Sequence, residues 1–188
     1  IDDLITFQLQ TIDTFKTKLN TILDNYRYKT FKNWLDLGKI RITDEVVYTM
    51  PKQITLLNKM IGIDKGLYKE EEKVNDFETS VISAISNDDN VNFWHRNQER
   101  GKGFFINGFI NHYPDFIVKL RSGHILLIET KGDDRDNSDR AMKLELGTTW
   151  ANKAGDMYRY YMVFDKKAMD GAITVKELLA KIDQLGRL

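Results

Sequence analysis

Asp115, Glu129 and Lys131 are residues of this chain whose types and spacing suit hydrolytic chemistry. Asp115 opens an apolar run, Phe116-Ile117-Val118-Lys119-Leu120. Glu129-Thr130-Lys131 closes a second run, His124 to Ile128, with Arg121-Ser122-Gly123 between the two. Two apolar runs around a short Gly-containing turn read as a hairpin. If Leu120 pairs with His124, counting back along both strands pairs Asp115 with Glu129. Directly opposed residues share a face, with Cβ atoms roughly 5 Å apart. Lys131, two residues beyond Glu129, shares that face as well.

Phosphodiester hydrolysis needs a water made nucleophilic at neutral pH and charge stabilisation on the phosphorus oxygens. Mg²⁺ supplies both and takes carboxylate, carbonyl and water oxygens. Asp115 and Glu129 are the natural ligands, with the backbone carbonyl of Thr130 as a third. Lys131 would orient the water and contact the phosphate; two neighbouring carboxylates keep it charged, which disfavours a strict general base. The plainer reading of the same residues is a strand-end salt bridge, since patterns this short recur by chance.

The elements that must position these groups are legible on either side. Asn75 with Glu78 three residues later resembles a capping box. Val74, Phe77, Val81 and Ile85 then form an apolar helical stripe. Glu78 reads equally as a capping side chain and as an acidic member of the site. Val91 to Trp94 predicts a strand, and Asn107-Gly108 a hairpin turn between Gly101–Ile106 and the run from Phe109. Ser138 to Ala154 predicts a helix weakened by Gly147, Tyr158 to Phe164 a strand, and Thr174 with Glu177 a second capping box opening a helix to Leu185.

Upstream, residues 1–28 read as a packing helix. Ile12, Phe15, Leu19, Ile22 and Tyr26 recur at +3 and +4. A short helix from Thr30 to Leu37 stops at Gly38. Lys39–Thr43 and Val46–Thr49 suggest two strands about an Asp44-Glu45 turn. The expected division is an N-terminal helical and β connector over 1–70 and a catalytic domain over 71–188. The expected fold is α/β, a central mixed sheet flanked by helices.

The 188 residues carry 28 basic and 28 acidic side chains, so bulk charge does not drive nucleic-acid binding, although a local basic groove can. No cysteine is present, which excludes disulfides, cysteine-ligated metals and thiol catalysis and fits a reducing cytoplasm. No apolar run approaches the roughly 20 residues of a membrane span, so no membrane is expected as a partner. The sequence begins at Ile1 and not at Met, as a fragment or processed product would.

Pro114-Asp115 and Glu129-Thr130-Lys131, with Glu78 on the preceding helix, resemble the PD-(D/E)xK nuclease superfamily. Trp94-His95-Arg96-Asn97, Tyr113-Pro114-Asp115-Phe116, Glu129-Thr130-Lys131-Gly132, and Lys143 with Trp150 narrow the resemblance to the C-terminal cleavage domain of Type III restriction enzyme Res subunits, over about residues 70–165. The resemblance implies a restriction-endonuclease-like α+β fold and Mg²⁺-dependent cleavage of double-stranded DNA. It also implies an ATP-driven helicase-like motor upstream, a methyltransferase partner that reads the sequence, and a prokaryotic cytoplasmic setting. No G-x-x-x-x-G-K-[ST] occurs here, so ATP hydrolysis would belong to the motor.

Arg96, Arg100 and Lys102 precede the Asn107-Gly108 turn and could touch phosphates; each is also an ordinary loop or strand-end residue. Lys143 could face the scissile phosphate or solvent. Trp94 and Trp150 read as core. The acidic stretch 133–139 would repel DNA unless it moves or helps to hold metal. The alternatives to an endonuclease are a non-catalytic DNA-binding or assembly module on a nuclease-like fold, and another nuclease of the same superfamily.

Overall fold

A computed structural model describes residues 2–42, 48–60, 62–99, 101–132, 140–165 and 170–187, with side chains from Ile5 onward and without that of Met60. The chain divides into two compact units, 1–41 and 42–188. The boundary falls earlier than the one expected near residue 70. Strands β1 (Lys59–Met60) and β2 (Glu71–Glu72) pair with each other, and Gly66 bridges to Trp94 of the main sheet, so 59–72 belongs with the second unit.

The first unit is one helix, α1 (Asp2–Asp36), where two were expected. Gly38, at φ +66°, ends the chain's helical course in the left-handed region that glycine tolerates. The strands expected over 39–43 and 46–49 are absent among the described residues 39–42 and 48–49, and the Asp44-Glu45 turn lies outside the described residues.

The second unit is mixed α/β. Its five-stranded mixed sheet has the order β3-β6-β7-β8-β9, with helices packed against it. The strands are β3 (Val91–Arg96), β6 (Phe116–Leu120), β7 (Ile125–Lys131), β8 (Tyr158–Phe164) and β9 (Ile173–Thr174). The helices are α2 (Asp76–Ser86), α3 (Arg140–Ala154) and α4 (Val175–Gly186). A separate hairpin, β4 (Ile106–Asn107) with β5 (Asn111–His112), turns at Gly108–Ile110 beside the expected Asn107-Gly108 position. Asn107 pairs with Asn111, so it ends a strand and does not form the turn.

The β6–β7 hairpin has the register its turn predicts. Phe116 faces Ile128, Lys119 faces Ile125, and Leu120 N–H donates to His124 O at 2.8 Å. β7 and β8 then run parallel across the α3 crossover, Glu129 beside Met162 and Lys131 beside Phe164. Even-numbered residues of the hairpin (Phe116, Val118, Leu120, Leu126, Ile128) pack with Val81, Ile82 and Ile85 of α2 and Leu178 and Ile182 of α4. Odd-numbered Ile117 and Leu127 are buried on the other face. There Gly147 of α3 meets Tyr160, the residue that pairs with Leu127. Central strands covered on both faces read as continuous apolar runs, as these do. Both predicted capping boxes form, Asn75 with Glu78 and Thr174 with Glu177.

Candidate active site

Extending the β6–β7 register by one residue sets Asp115 opposite Glu129 at the end of the hairpin. The ladder stops at Phe116, so the Asp115 side chain is positioned by hydrogen bonds and not by strand pairing. Its Oδ2 accepts from Thr130 N–H and Thr130 Oγ1, each at 2.7 Å. Its Oδ1 accepts from Arg96 Nη1 at 2.9 Å. Even-numbered Thr130 presents its side chain to the α2 side of the sheet, and odd-numbered Glu129 and Lys131 face the α3 side. The site therefore wraps the strand ends, where the hairpin count alone predicts one face.

Arg96 is the hub of the α2 side. Nη1 also donates to Asp115 O at 2.8 Å, and Nη2 lies 3.5 Å from Glu78 Oε1. Burial pushes the guanidinium toward the neutral form, but the charges of Asp115 and Glu78 outweigh it and hold its pKa above the ordinary arginine value. Glu78 forms the expected capping box, its Oε2 accepting from Asn75 N–H at 2.9 Å, while its Oε1 faces Arg96.

On the α3 side Glu129 is 2% exposed. Its Oε1 meets Lys131 Nζ at 2.7 Å and Lys143 Nζ at 3.2 Å. Its Oε2 is buried without a hydrogen-bond partner. Burial, with the charge of Asp115 added, pushes its pKa up to about 7; Lys131 and Lys143 pull the other way and do not cancel it. A carboxylate poised near neutrality with an unfilled oxygen suits a cation ligand or a proton carrier.

Of the residues singled out in the sequence, Asp115, Glu129, Lys131, Glu78 and Thr130 come together here. Thr130 joins through its N–H and hydroxyl, contacts the carbonyl reading did not include. Arg96 and Lys143, read as phosphate contacts, hold the two carboxylates. Lys102 is exposed in the 101–103 turn. Arg100 and the acidic stretch 133–139 lie outside the described residues. Trp94 is fully buried, as a core residue should be.

Two supports have no role assigned from the sequence, although Asn97 stands in the Trp94–Asn97 stretch singled out there. Glu71, buried in β2, takes Arg96 N–H at 3.2 Å and His95 Nδ1 at 2.9 Å on one oxygen, so it anchors the backbone of the hub. Asn97, also buried, donates to Phe104 O and Pro114 O, each at 2.8 Å, and accepts Phe104 N–H. It thereby pins the residue before Asp115. The Glu70 to Lys73 charge cluster was the only trace of Glu71, and it reads as surface.

Among the described residues no three histidine or acidic side chains converge as a ready metal cluster. The donor set available to a divalent ion is Asp115 and Glu129 with backbone and water oxygens. The orphaned Glu129 oxygen fits that use, since hard cations take oxygen ligands and Mg²⁺ keeps several waters. No helix of the described residues is long and apolar enough to cross a membrane. No protein-family model matches this chain, and neither the curated proteins nor the solved structures contain a significant match.

Proposed function

We propose that residues 42–188 form a Mg²⁺-dependent DNA endonuclease of the PD-(D/E)xK kind on a restriction-endonuclease-like fold. The supporting observation is Glu129. It is buried at a sheet end, in register with Asp115, with Lys131 on one oxygen and nothing on the other. A salt bridge kept for stability alone would satisfy both oxygens. Asp115 and Glu129 would hold the ion, which when bound lowers the pKa of a water and offsets charge on the phosphorus oxygens. Lys131 orients that water and meets the phosphate. Lys143 favours the ionised form of Glu129 against the effect of burial, and Arg96 fixes the Asp115 carboxylate. On this reading the substrate is double-stranded DNA in a prokaryotic cytoplasm. A helicase-like ATP-driven motor and a sequence-reading methyltransferase subunit act from outside residues 1–188, as in Type III restriction enzymes.

A second reading, a DNA-binding or assembly module without catalysis, is favoured by one observation. Both Asp115 oxygens are engaged by Arg96 and Thr130. Titration with Mn²⁺ separates the two. The nuclease reading expects saturable binding that Glu129→Ala abolishes, and duplex cleavage that Lys131→Ala abolishes with folding intact. Absence of saturable binding, or cleavage that persists in a chelator, sinks it.

A further inference from the structure

Helix α1 carries an apolar repeat that lies in solvent. Ile5, Ile12, Leu19 and Tyr26 recur every seven residues, and Phe15 and Ile22 follow Ile12 and Leu19 by three. These are the a and d positions of a heptad. Their 3.5-residue period is that of paired helices and not the 3.6 of a lone helical face. All six side chains are exposed, from 42% at Leu19 to 68% at Tyr26. Leu9 and Leu23, both exposed, take e positions of the same repeat and widen the stripe.

We propose that α1 pairs with α1 of a second copy of this chain, antiparallel, along Ile12, Phe15, Leu19 and Ile22.

Charge selects both the partner and the direction. Residues 2–9 include Asp2 and Asp3 and no basic residue; residues 25–32, which the antiparallel register sets beside them, include Arg27, Lys29 and Lys32 and no acidic one. An antiparallel pair sets the acidic end of each copy beside the basic end of the other, whereas a parallel pair sets like beside like. The helix dipoles also oppose favourably in that arrangement. One sequence fills the seam: Ile12 opposite Ile22, Phe15 opposite Leu19, and Gln8 opposite Tyr26. The two-fold axis repeats the Gln8–Tyr26 layer at both ends of the seam, where Ile5 also faces Lys29, and polar layers flanking an apolar centre favour one register. Burying these side chains from both copies removes on the order of 1,000 Å² from water, the lower bound of a specific interface.

Sedimentation of the full chain tests the proposal. At micromolar concentration the expected mass is twice that of the monomer. Ile12→Asp with Leu19→Asp should halve it, and Thr17→Asp, on the opposite face of α1, should leave it unchanged. The chain has no cysteine, so a spin label at Thr6→Cys is unique. Two such labels lie more than about 30 Å apart in the antiparallel pair and within about 15 Å in a parallel one, at 1.5 Å of rise per residue. A wild-type monomer, a dimer that survives the seam substitutions, a dimer lost equally in Thr17→Asp, or the short distance overturns the proposal.

Discussion

Arg96 holds Asp115 twice, through the carboxylate at 2.9 Å and the backbone carbonyl at 2.8 Å, and so couples strand β3 to the start of β6 at the point where the ladder ends. The same guanidinium faces Glu78 on α2. Removing it leaves two mostly buried carboxylates without their shared counter-charge. Breaking a buried pair costs about 3–5 kcal/mol, and the partial exposure here reduces that to roughly 2 kcal/mol. Arg96→Met should therefore lower stability by that amount in urea unfolding. Asp115→Asn in the Arg96→Met background should cost less than it does alone, because the two changes act on one interaction.

Glu129 sets a pH dependence of definite sign. Its folded pKa, about 7, lies above the ordinary glutamate value of 4.5. Between those two values the unfolded chain has released the proton and the folded chain still holds it, so stability falls as pH rises through that window. The loss is about 3 kcal/mol, taking 1.36 kcal/mol per pKa unit. Urea unfolding at pH 5 and pH 8 should show it, and Glu129→Gln should flatten it. On the proposed nuclease reading, affinity for a divalent ion should run the opposite way, rising as pH passes 7, because the ion needs the ionised carboxylate.

Gly147 offers a packing test. A helix interior usually gains up to about 1 kcal/mol from Gly→Ala. Here a Cβ would enter the Tyr160 ring on β8. Overpacking typically costs 1–3 kcal/mol, so Gly147→Ala should destabilise by about 1–2 kcal/mol net. Lys143 lies one turn earlier on the same face, so the displaced α3 should also weaken its contact with Glu129. Thermal unfolding reads the first effect. The second appears as a higher Glu129 titration midpoint.

Much of this arrangement is legible in the sequence. The turn at Arg121–Gly123 fixes hairpin register by counting, and that count brings Asp115 opposite Glu129. Both capping boxes follow from side chains three residues apart, a local signal. What escapes depends on long separations. Glu71 reaches Arg96 across 25 residues, and its charged neighbours make it read as surface. Lys143 approaches Glu129 only because α3 crosses back over the sheet. Gly147 reads as a weakness in its helix, whereas it is the close-approach point against Tyr160. The apolar stripe of α1 reads as a packing face, since periodicity reveals a stripe without revealing what covers it.

The two lysines on Glu129 should separate by role. Both touch Oε1, Lys131 at 2.7 Å from β7 itself and Lys143 at 3.2 Å from α3. Both lower the Glu129 pKa, Lys131 more strongly. Replacing either with Gln should raise the titration midpoint, with the larger rise in Lys131→Gln, and NMR of the labelled carboxyl reads this directly. Catalysis should divide differently. If Lys143 only supports Glu129, its loss lowers cleavage or metal affinity by about 10–100-fold, as loss of a supporting partner does, and raising the pH restores much of it. If Lys131 also orients the water and meets the phosphate, its loss abolishes cleavage at every pH. Equal recovery of both variants at high pH would reduce Lys131 to a second electrostatic support and remove it from the reacting centre.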